Sequence, residues 1–330
     1  MKILIPYKEK LPVLRYGGTE RVVYWLLKEL AVLGHEVFLL GHKESVVPGV
    51  KVIPWKDQSV EDVAQTATFG GVDIVHFQHN IPANFPFPAV CTIHGNGQKG
   101  EVFHHNALFI SKKHAENHRA ISFVYNGIDF SEYPVLHDKK FFNDSFLFLA
   151  KGSWKVKNLK DCTDLAKKMK FHLQIAGSKK LSLSRYLHYQ GQVDRIQKIK
   201  LAAVTDALLF PVRWHEPFGL AVIEAFALGL PVIGSSYGSL PELISKDRGV
   251  LVKSKVELEE ALEKFRSQQG DGSFLAEAIR ASAEEKFSSK VMAQEYLKYY
   301  EKVLRGEELN SATSPPQWNL SQSPQELLAF

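Results

Sequence analysis

Short apolar runs alternate with glycine-bearing turns and helical stretches along this chain, and that alternation leaves few folds open. Residues 2–6 read as a buried strand. Gly17-Gly18-Thr19 follows after a loop, a long amphipathic pattern runs to about Leu33, Gly34 stops it, and residues 36–40 form the next strand. Strand, glycine turn, helix, strand is a βαβ unit. Further apolar runs lie at 51–54, 73–77, 89–93, 108–110 and 123–125. Such unbroken apolar runs suit parallel strands, because helices cover both faces of the sheet. Residues 131–144 are charged and aperiodic, carry Pro134, and read as a linker. A second cycle then begins: strand 146–150, helix 159–169, strand 171–176, strand 207–211, helix 220–228 and strand 231–234. Helices at about 255–268, 274–286 and 289–304 close it. The expected fold class is α/β, two doubly wound halves. The expected spans are 1–135 and 136–305, with the last helix crossing back to the first domain, and a flexible tail over 306–330 rich in Ser, Pro, Gln and Asn.

The length of 330 residues agrees with two domains. The net charge of +5, from 41 basic and 36 acidic residues, is too mild and too dispersed for a nucleic-acid binder. It suits anionic substrates, and rest on an anionic membrane surface. Cys91 and Cys162 lie far apart without a CxxC pattern, which speaks against a disulfide framework or zinc site and for a reducing compartment. The opening apolar run is broken by Pro6, too short for a signal peptide. No stretch reaches the ~18–20 apolar residues that span a bilayer. The chain reads as soluble and cytoplasmic.

The stretch with most chemistry follows the strand at 207–211: His215-Glu216-Pro217-Phe218-Gly219-Leu220, then Glu224 inside a helix, then Gly229-Leu230-Pro231-Val232-Ile233-Gly234. A helix N-terminus gathers free N–H groups and partial positive charge, and Gly219 lets a phosphate approach that backbone. The two carboxylates offer acceptors to sugar hydroxyls. Glu224 is flanked by apolar residues, and a glutamate is seldom buried without a partner.

Glu216 and Glu224 form an E-x7-E pattern in a HEPFG…EA…G-PVI frame, and this resembles family 4 of the retaining glycosyltransferases. The resemblance implies a GT-B fold, with two Rossmann-like domains facing each other across a cleft. It implies that Glu224 holds the ribose of a nucleotide-sugar donor, that Glu216 lies near the donor sugar, and that backbone amides at Phe218, Gly219 and Leu220 contact sugar or phosphates. Gly17-Gly18-Thr19-Glu20-Arg21 is similar to the family's glycine-rich loop against the donor phosphates, and Thr92-Ile93-His94-Gly95 places His94 near the reaction centre. Tyr125-Asn126-Gly127-Ile128-Asp129 resembles the segment before the linker. Lys151 and Lys157 stand at the positions of the family's diphosphate-clamping arginine and lysine, and Asn158 at that of a glycine. Lysine keeps the charge of arginine and loses its bidentate fork, and Lys155 is near enough in sequence to share the role. Gln192 and Val193 fall where backbone groups meet the base, and Gly238-Ser239-Leu240-Pro241-Glu242 matches a structural turn.

The resemblance implies an enzyme moving a sugar from a UDP- or GDP-sugar to a glycan or lipid-linked acceptor with retention. It needs no cofactor or divalent metal, and the analogy extends to bacterial polysaccharide or lipopolysaccharide assembly. A peripheral place at the inner face of the membrane fits such an acceptor. Acceptor contacts are expected in loops 8–16 and 96–105. His104, His105, His114 and His118 lack the carboxylate or cysteine support of a zinc site and read as surface or acceptor-facing. Competing readings are a GT-B sugar-nucleotide epimerase and a non-catalytic sugar-nucleotide-binding scaffold. The absence of GxGxxG argues against a nicotinamide enzyme.

Overall fold

In the computed structural model, residues other than 14–16, 57–58, 99, 135, 137–142, 268–273 and 312–326 are described. Most of the linker core, the end of the 8–16 loop and most of the tail therefore lie outside the described residues. In chain order the elements are β1 (Lys2–Tyr7), α1 (Gly18–Val32), β2 (Glu36–Gly41), β3 (Val50–Pro54), α2 (Val60–Gly70), β4 (Ile74–Phe77), β5 (Ala89–Ile93), β6 (Ala107–Phe109) and α3 (Lys112–Asn117). Then come β7 (Ser145–Leu149), α4 (Leu159–Met169), β8 (His172–Ala176), β9 (Leu187–Gly191), α5 (Arg195–Ala203), β10 (Ala207–Phe210) and α6 (Leu220–Ala227). The chain continues with β11 (Val232–Ser235), α7 (Leu240–Leu243), β12 (Gly249–Val252), α8 (Lys255–Ser267), α9 (Ala276–Phe287) and α10 (Ser289–Leu304).

The chain forms two compact units, one of residues 1–129 with 287–321 and the other of 130–286 with 322–330. The first unit holds a six-stranded sheet in the order β3-β2-β1-β4-β5-β6, and every pairing is parallel. Strands β4 and β5 are buried throughout, and β1 and β2 everywhere but at their ends, as the unbroken apolar runs require. The strand expected at 123–125 is only a single bridge, Phe109 to Phe123.

Helix α10 lies in this unit, against α1 and β5. Its inward face carries Met292, Tyr296, Tyr300 and Val303 at helical spacing. Two phenols cannot be buried there without partners. Tyr300 Oη lies 2.7 Å from His76 Nδ1, His76 Nε2 lies 2.8 Å from Thr92 Oγ1, and Thr92 Oγ1 lies 2.8 Å from Tyr296 Oη. Burial, and more weakly His94, hold the His76 pKa down at about 3, so this ladder is built on a neutral ring. Part of the described tail docks on the first unit. Asn310 is 2% exposed and bonds the backbone of Ile121, Ser122, His105 and Ala107.

The second unit repeats the strand order as β12-β11-β10-β7-β8-β9, again all parallel. Phe146, Phe171 and Phe265 stack edge to face on one side of this sheet. In each unit the strand order reverses between the first and fourth strands, and ligands of such sheets bind beyond the carboxyl ends at that point.

Candidate functional site

In the second unit the switch point lies between β7 and β10. Past β7 the chain makes Ala150-Lys151-Gly152 and a short turn over Lys155–Lys157. Past β10 it makes Pro211–Gly219 and enters α6. Glu216 is 8% exposed between these segments. Its Oε2 accepts from Lys157 Nζ at 2.6 Å and from the Trp214 indole N–H at 2.5 Å. The Lys157 ammonium also lies over the Trp214 ring, 4.6 Å from its centroid, so one cation meets a carboxylate and an aromatic face. The backbone of Arg213 ties the two segments together, its N–H donating to Val156 O at 2.7 Å.

Gly238 closes the cluster from the β11–α7 connection. A Cβ there would fall 2.2 Å from Glu216 O and 2.4 Å from Glu216 N, and its φ is +60°. Only glycine lets this backbone press on that of Glu216. Ser239 adds a bond from its N–H to Glu216 O at 2.9 Å and from its hydroxyl to Phe218 O at 2.6 Å. The stretch read from sequence as a structural turn therefore shapes the site directly.

Gly219 caps α6 with φ +95° and ψ +58°, and Leu220 begins the helix, so its first N–H groups point out at the carboxyl edge of the sheet. Lys157, Glu216, Phe218 and Gly219 thus share one edge. Lys151 is exposed at the same edge, its Nζ 5.0 Å from the Trp154 ring centroid. Asn158 has φ +59° and ψ +38°, which explains an asparagine at a glycine position: it is among the few other residues that tolerate the left-handed region. Gln192 is exposed and Val193 buried in the connection from β9 to α5, just before the capping Asp194.

Glu224 stands apart from Glu216. At 2% exposure inside α6, it accepts from Lys198 Nζ at 2.8 and 3.0 Å and from the Tyr133 hydroxyl at 2.8 Å. Neither partner was singled out by the sequence. Lys198 lies on α5, where the pattern was weak, and Tyr133 in the segment taken for linker.

In the first unit Gly17 precedes α1, and Gly18 and Thr19 form its first turn after β1, the position expected of an anion-binding loop. His94 follows β5, and its Nε2 lies 2.9 Å from Gln78 Oε1, beyond β4. Burial lowers the His94 pKa to about 4, so at neutral pH it is a hydrogen-bonding imidazole and not a cation. The loop after His94 is held by two rings that the sequence placed at the surface. His114 and His118 are each 1% exposed. His118 Nε2 accepts from Gly97 N–H at 2.9 Å while its Nδ1 lies 2.7 Å from His114 O. His114 Nε2 lies 3.0 Å from Gly95 O. Their i, i+4 spacing on α3 stacks them under the 94–97 loop, and burial pushes both pKa values down. Among the described residues no group of three metal-ligating side chains occurs.

The last described residues also reach the second unit's edge. Leu328 N–H donates to Arg213 O at 2.8 Å, Arg213 Nε to Leu328 O at 2.8 Å, and the Tyr237 hydroxyl to Ala329 O. Among the described residues no helix is long and apolar enough to cross a membrane.

Residues 141–285 match the model of the family described as glycosyl transferases group 1. One curated relative is N-acetyl-α-D-glucosaminyl L-malate synthase of Bacillus anthracis, 30% identical over 133 residues, which is 38% of this chain and 34% of the relative. The matched stretch spans about a third of the length of each curated relative. Among solved structures, AviGT4, a glycosyltransferase involved in avilamycin A biosynthesis, superposes with a TM-score of 0.74 at 21% identity over 92% of this chain and 98% of that one. Anabaena HepE in complex with UDP-glucose gives 0.67 at 17% identity over 92% and 100%. The fold is the GT-B type, a pair of parallel-sheet Rossmann-like domains, and residues 141–285 carry the group 1 glycosyl transferase signature.

Proposed function

We propose that this protein is a glycosyltransferase that takes a sugar from a nucleoside-diphosphate sugar and passes it to a glycan or lipid-linked acceptor. The observation that carries the reading is the cluster of Lys157, Glu216 and the α6 N-terminus at the carboxyl edge of the second sheet, within the residues that match the family model. That edge offers a partly buried ammonium, aligned N–H groups and a fixed carboxylate, the donors and acceptors that a diphosphate and a sugar hydroxyl require. Lys151 stands beside it as an exposed second cation. The HepE complex makes a UDP-sugar the first donor to try, with GDP-sugars next.

In this reading the bond from the anomeric carbon to the β-phosphate oxygen breaks as charge builds on the diphosphate. Lys157, Lys151 and the α6 amides stabilise that charge without reorganising. The acceptor oxygen bonds to the same face of the sugar, and its proton passes to the departing phosphate oxygen, so configuration is retained. Neutral His94 serves by hydrogen bonding near the sugar, and Gly17, Gly18 and Thr19 meet the phosphates. The chemistry needs no divalent ion. A cytoplasmic protein resting at the inner face of the membrane, acting in surface polysaccharide or lipopolysaccharide assembly, fits the mild positive charge.

The test is incubation with UDP- and GDP-sugars and candidate acceptors in chelator, with products followed by NMR. Release of free nucleoside diphosphate with an α-linked product from an α-linked donor is expected. A β-linked product would end the retaining assignment, and an epimerised nucleotide sugar without transfer would replace the transferase by an epimerase.

A further inference from the structure

Glu224 presents a problem of burial that its own helix cannot solve. From Val222 to Ala227 every residue of α6 is buried, and the Glu224 carboxylate lies in the middle of that run. A lone carboxylate there would lose its charge or destabilise the unit. It is held instead by two residues from elsewhere in the sequence. Lys198 reaches both oxygens, at 2.8 and 3.0 Å, and Tyr133 donates to Oε1 at 2.8 Å. Lys198 is itself only 8% exposed and Tyr133 1%. A lysine in contact with both oxygens keeps the carboxylate ionised, and so acceptor-only, and a phenol on one oxygen fixes its plane.

The helix that carries Lys198 has a second connection to the site. It starts at Arg195, capped by Asp194 through a reciprocal bond with Gln197, directly after Gln192 and Val193. The residue whose ammonium holds Glu224 therefore sits on the helix that opens directly from the loop expected to meet the base.

We propose that Lys198 and Tyr133 are positioning residues that hold Glu224 as an ionised, oriented acceptor for the ribose diol of a nucleoside diphosphate. Through α5, Lys198 sets the spacing at which ribose and base are read together. The inference rests on the donor-site reading above. It adds a consequence that reading lacks: recognition of the ribose hydroxyls, and not only stability, depends on a lysine outside the E-x7-E pattern. A hydrogen bond to a charged acceptor is worth about tenfold or more in affinity, so ribonucleotides should bind better than their 2′-deoxy forms by about that factor.

The experiment is the dissociation constant of UDP against 2′-deoxy-UDP, and of GDP against 2′-deoxy-GDP, for the wild-type chain and the variants Tyr133→Phe, Lys198→Arg, Lys198→Met and Lys198→Met with Glu224→Gln. The wild type should prefer the ribonucleotide about tenfold. Tyr133→Phe should cut that ratio to a few-fold, Lys198→Met should bring it near one, and Lys198→Arg should keep most of it. The double variant should regain the thermal stability lost in Lys198→Met while its ratio stays near one. If Lys198→Met does not fold, Tyr133→Phe and Lys198→Arg still decide the matter. A wild type that discriminates, with the same ratio in every folded variant, would make the trio a structural ion pair and overturn the proposal. A wild type that binds nucleoside diphosphates without discriminating would overturn it through the ribose role of Glu224, and a chain that binds none of them would overturn the donor-site reading beneath it.

Discussion

The two sheets share one strand order, yet the polar side chains around the candidate site residues are held differently in the two units. The first unit has its own ion pair, Lys28 with Asp129, but around β4, β5 and the 94–97 loop the polar groups are neutral rings. His76, His114 and His118 each use both ring nitrogens, and His94 pairs with the Gln78 amide. In the second unit they are ion pairs, Lys157 with Glu216 and Lys198 with Glu224. The difference shows where each unit is vulnerable. A ring that accepts a backbone N–H fails when it gains a proton. A buried ion pair is indifferent to moderate pH and fails when one partner is removed.

The largest effect should come from breaking an ion pair on one side only. Lys157→Met leaves Glu216 buried with the Trp214 indole, and we expect a loss of about 3–5 kcal/mol in the second unit. Adding Glu216→Gln should recover much of it. Denaturant titration of the three proteins checks this, and a single-variant cost under ~1 kcal/mol would show that the pair is not desolvated as described.

Acid should act on the other unit. The unfolded chain binds a proton on His76 near pH 6.5, whereas the folded chain withholds it until about pH 3. Stability is therefore complete above pH 6.5 and falls as the pH drops towards the folded value, at about 1.4 kcal/mol per pH unit. From pH 6.5 to pH 5 the cost is about 2 kcal/mol from His76. His94, lowered to about 4, adds up to a similar amount, and His114 and His118, also lowered by burial, act in the same direction. Denaturation at both pH values reads this, and His76→Gln should make the slope shallower. If the slope is the same in that variant, the ladder to Tyr296 and Tyr300 is not the acid-sensitive element.

Gly238→Ala places a methyl group against the Glu216 backbone at a positive φ. A cost of about 1–3 kcal/mol is expected, with weakened donor binding, because the loop carrying Glu216 must move. Unchanged nucleotide affinity would separate that turn from the site. The smallest effect is a gain. Asn158 is left-handed, and its buried amide nitrogen has no partner among the described residues, so Asn158→Gly should stabilise by about 0.5–1 kcal/mol. A loss in thermal unfolding would mean that its side chain is a ligand of the fold after all.

Fold class was legible because parallel strands buried on both faces are written as apolar runs, and the inner strands β1, β4, β5, β7, β10 and β11 follow that pattern. Edge elements were not. β12 is buried only at its two ends, and β9 carries half-buried His188 and Tyr189 and exposed Gln190. The site was legible where a residue type is out of keeping with its neighbours, as with Glu224 in an apolar helix and glycines before helices. Partners supplied from a distance were not. Lys198 comes from 26 residues away and Tyr133 from 91, and no local spacing records such a pairing. His114 and His118 looked like surface groups because a basic stretch hides burial. Only the packing of α3 beneath the 94–97 loop reveals their role.

The proposed function requires the second unit's carboxyl edge to be a nucleoside-diphosphate site. The most direct measurement is a thermal-shift panel of UDP, GDP, ADP, CDP and dTDP in chelator, on the wild type and on Lys151→Ala, whose exposed side chain can be removed without disturbing the fold. A ligand at about a hundred times its dissociation constant stabilises by about 2.7 kcal/mol. At least one diphosphate should raise the melting temperature, and the rise should shrink in Lys151→Ala. No response to any nucleotide, or a response that Lys151→Ala leaves unchanged, would contradict it.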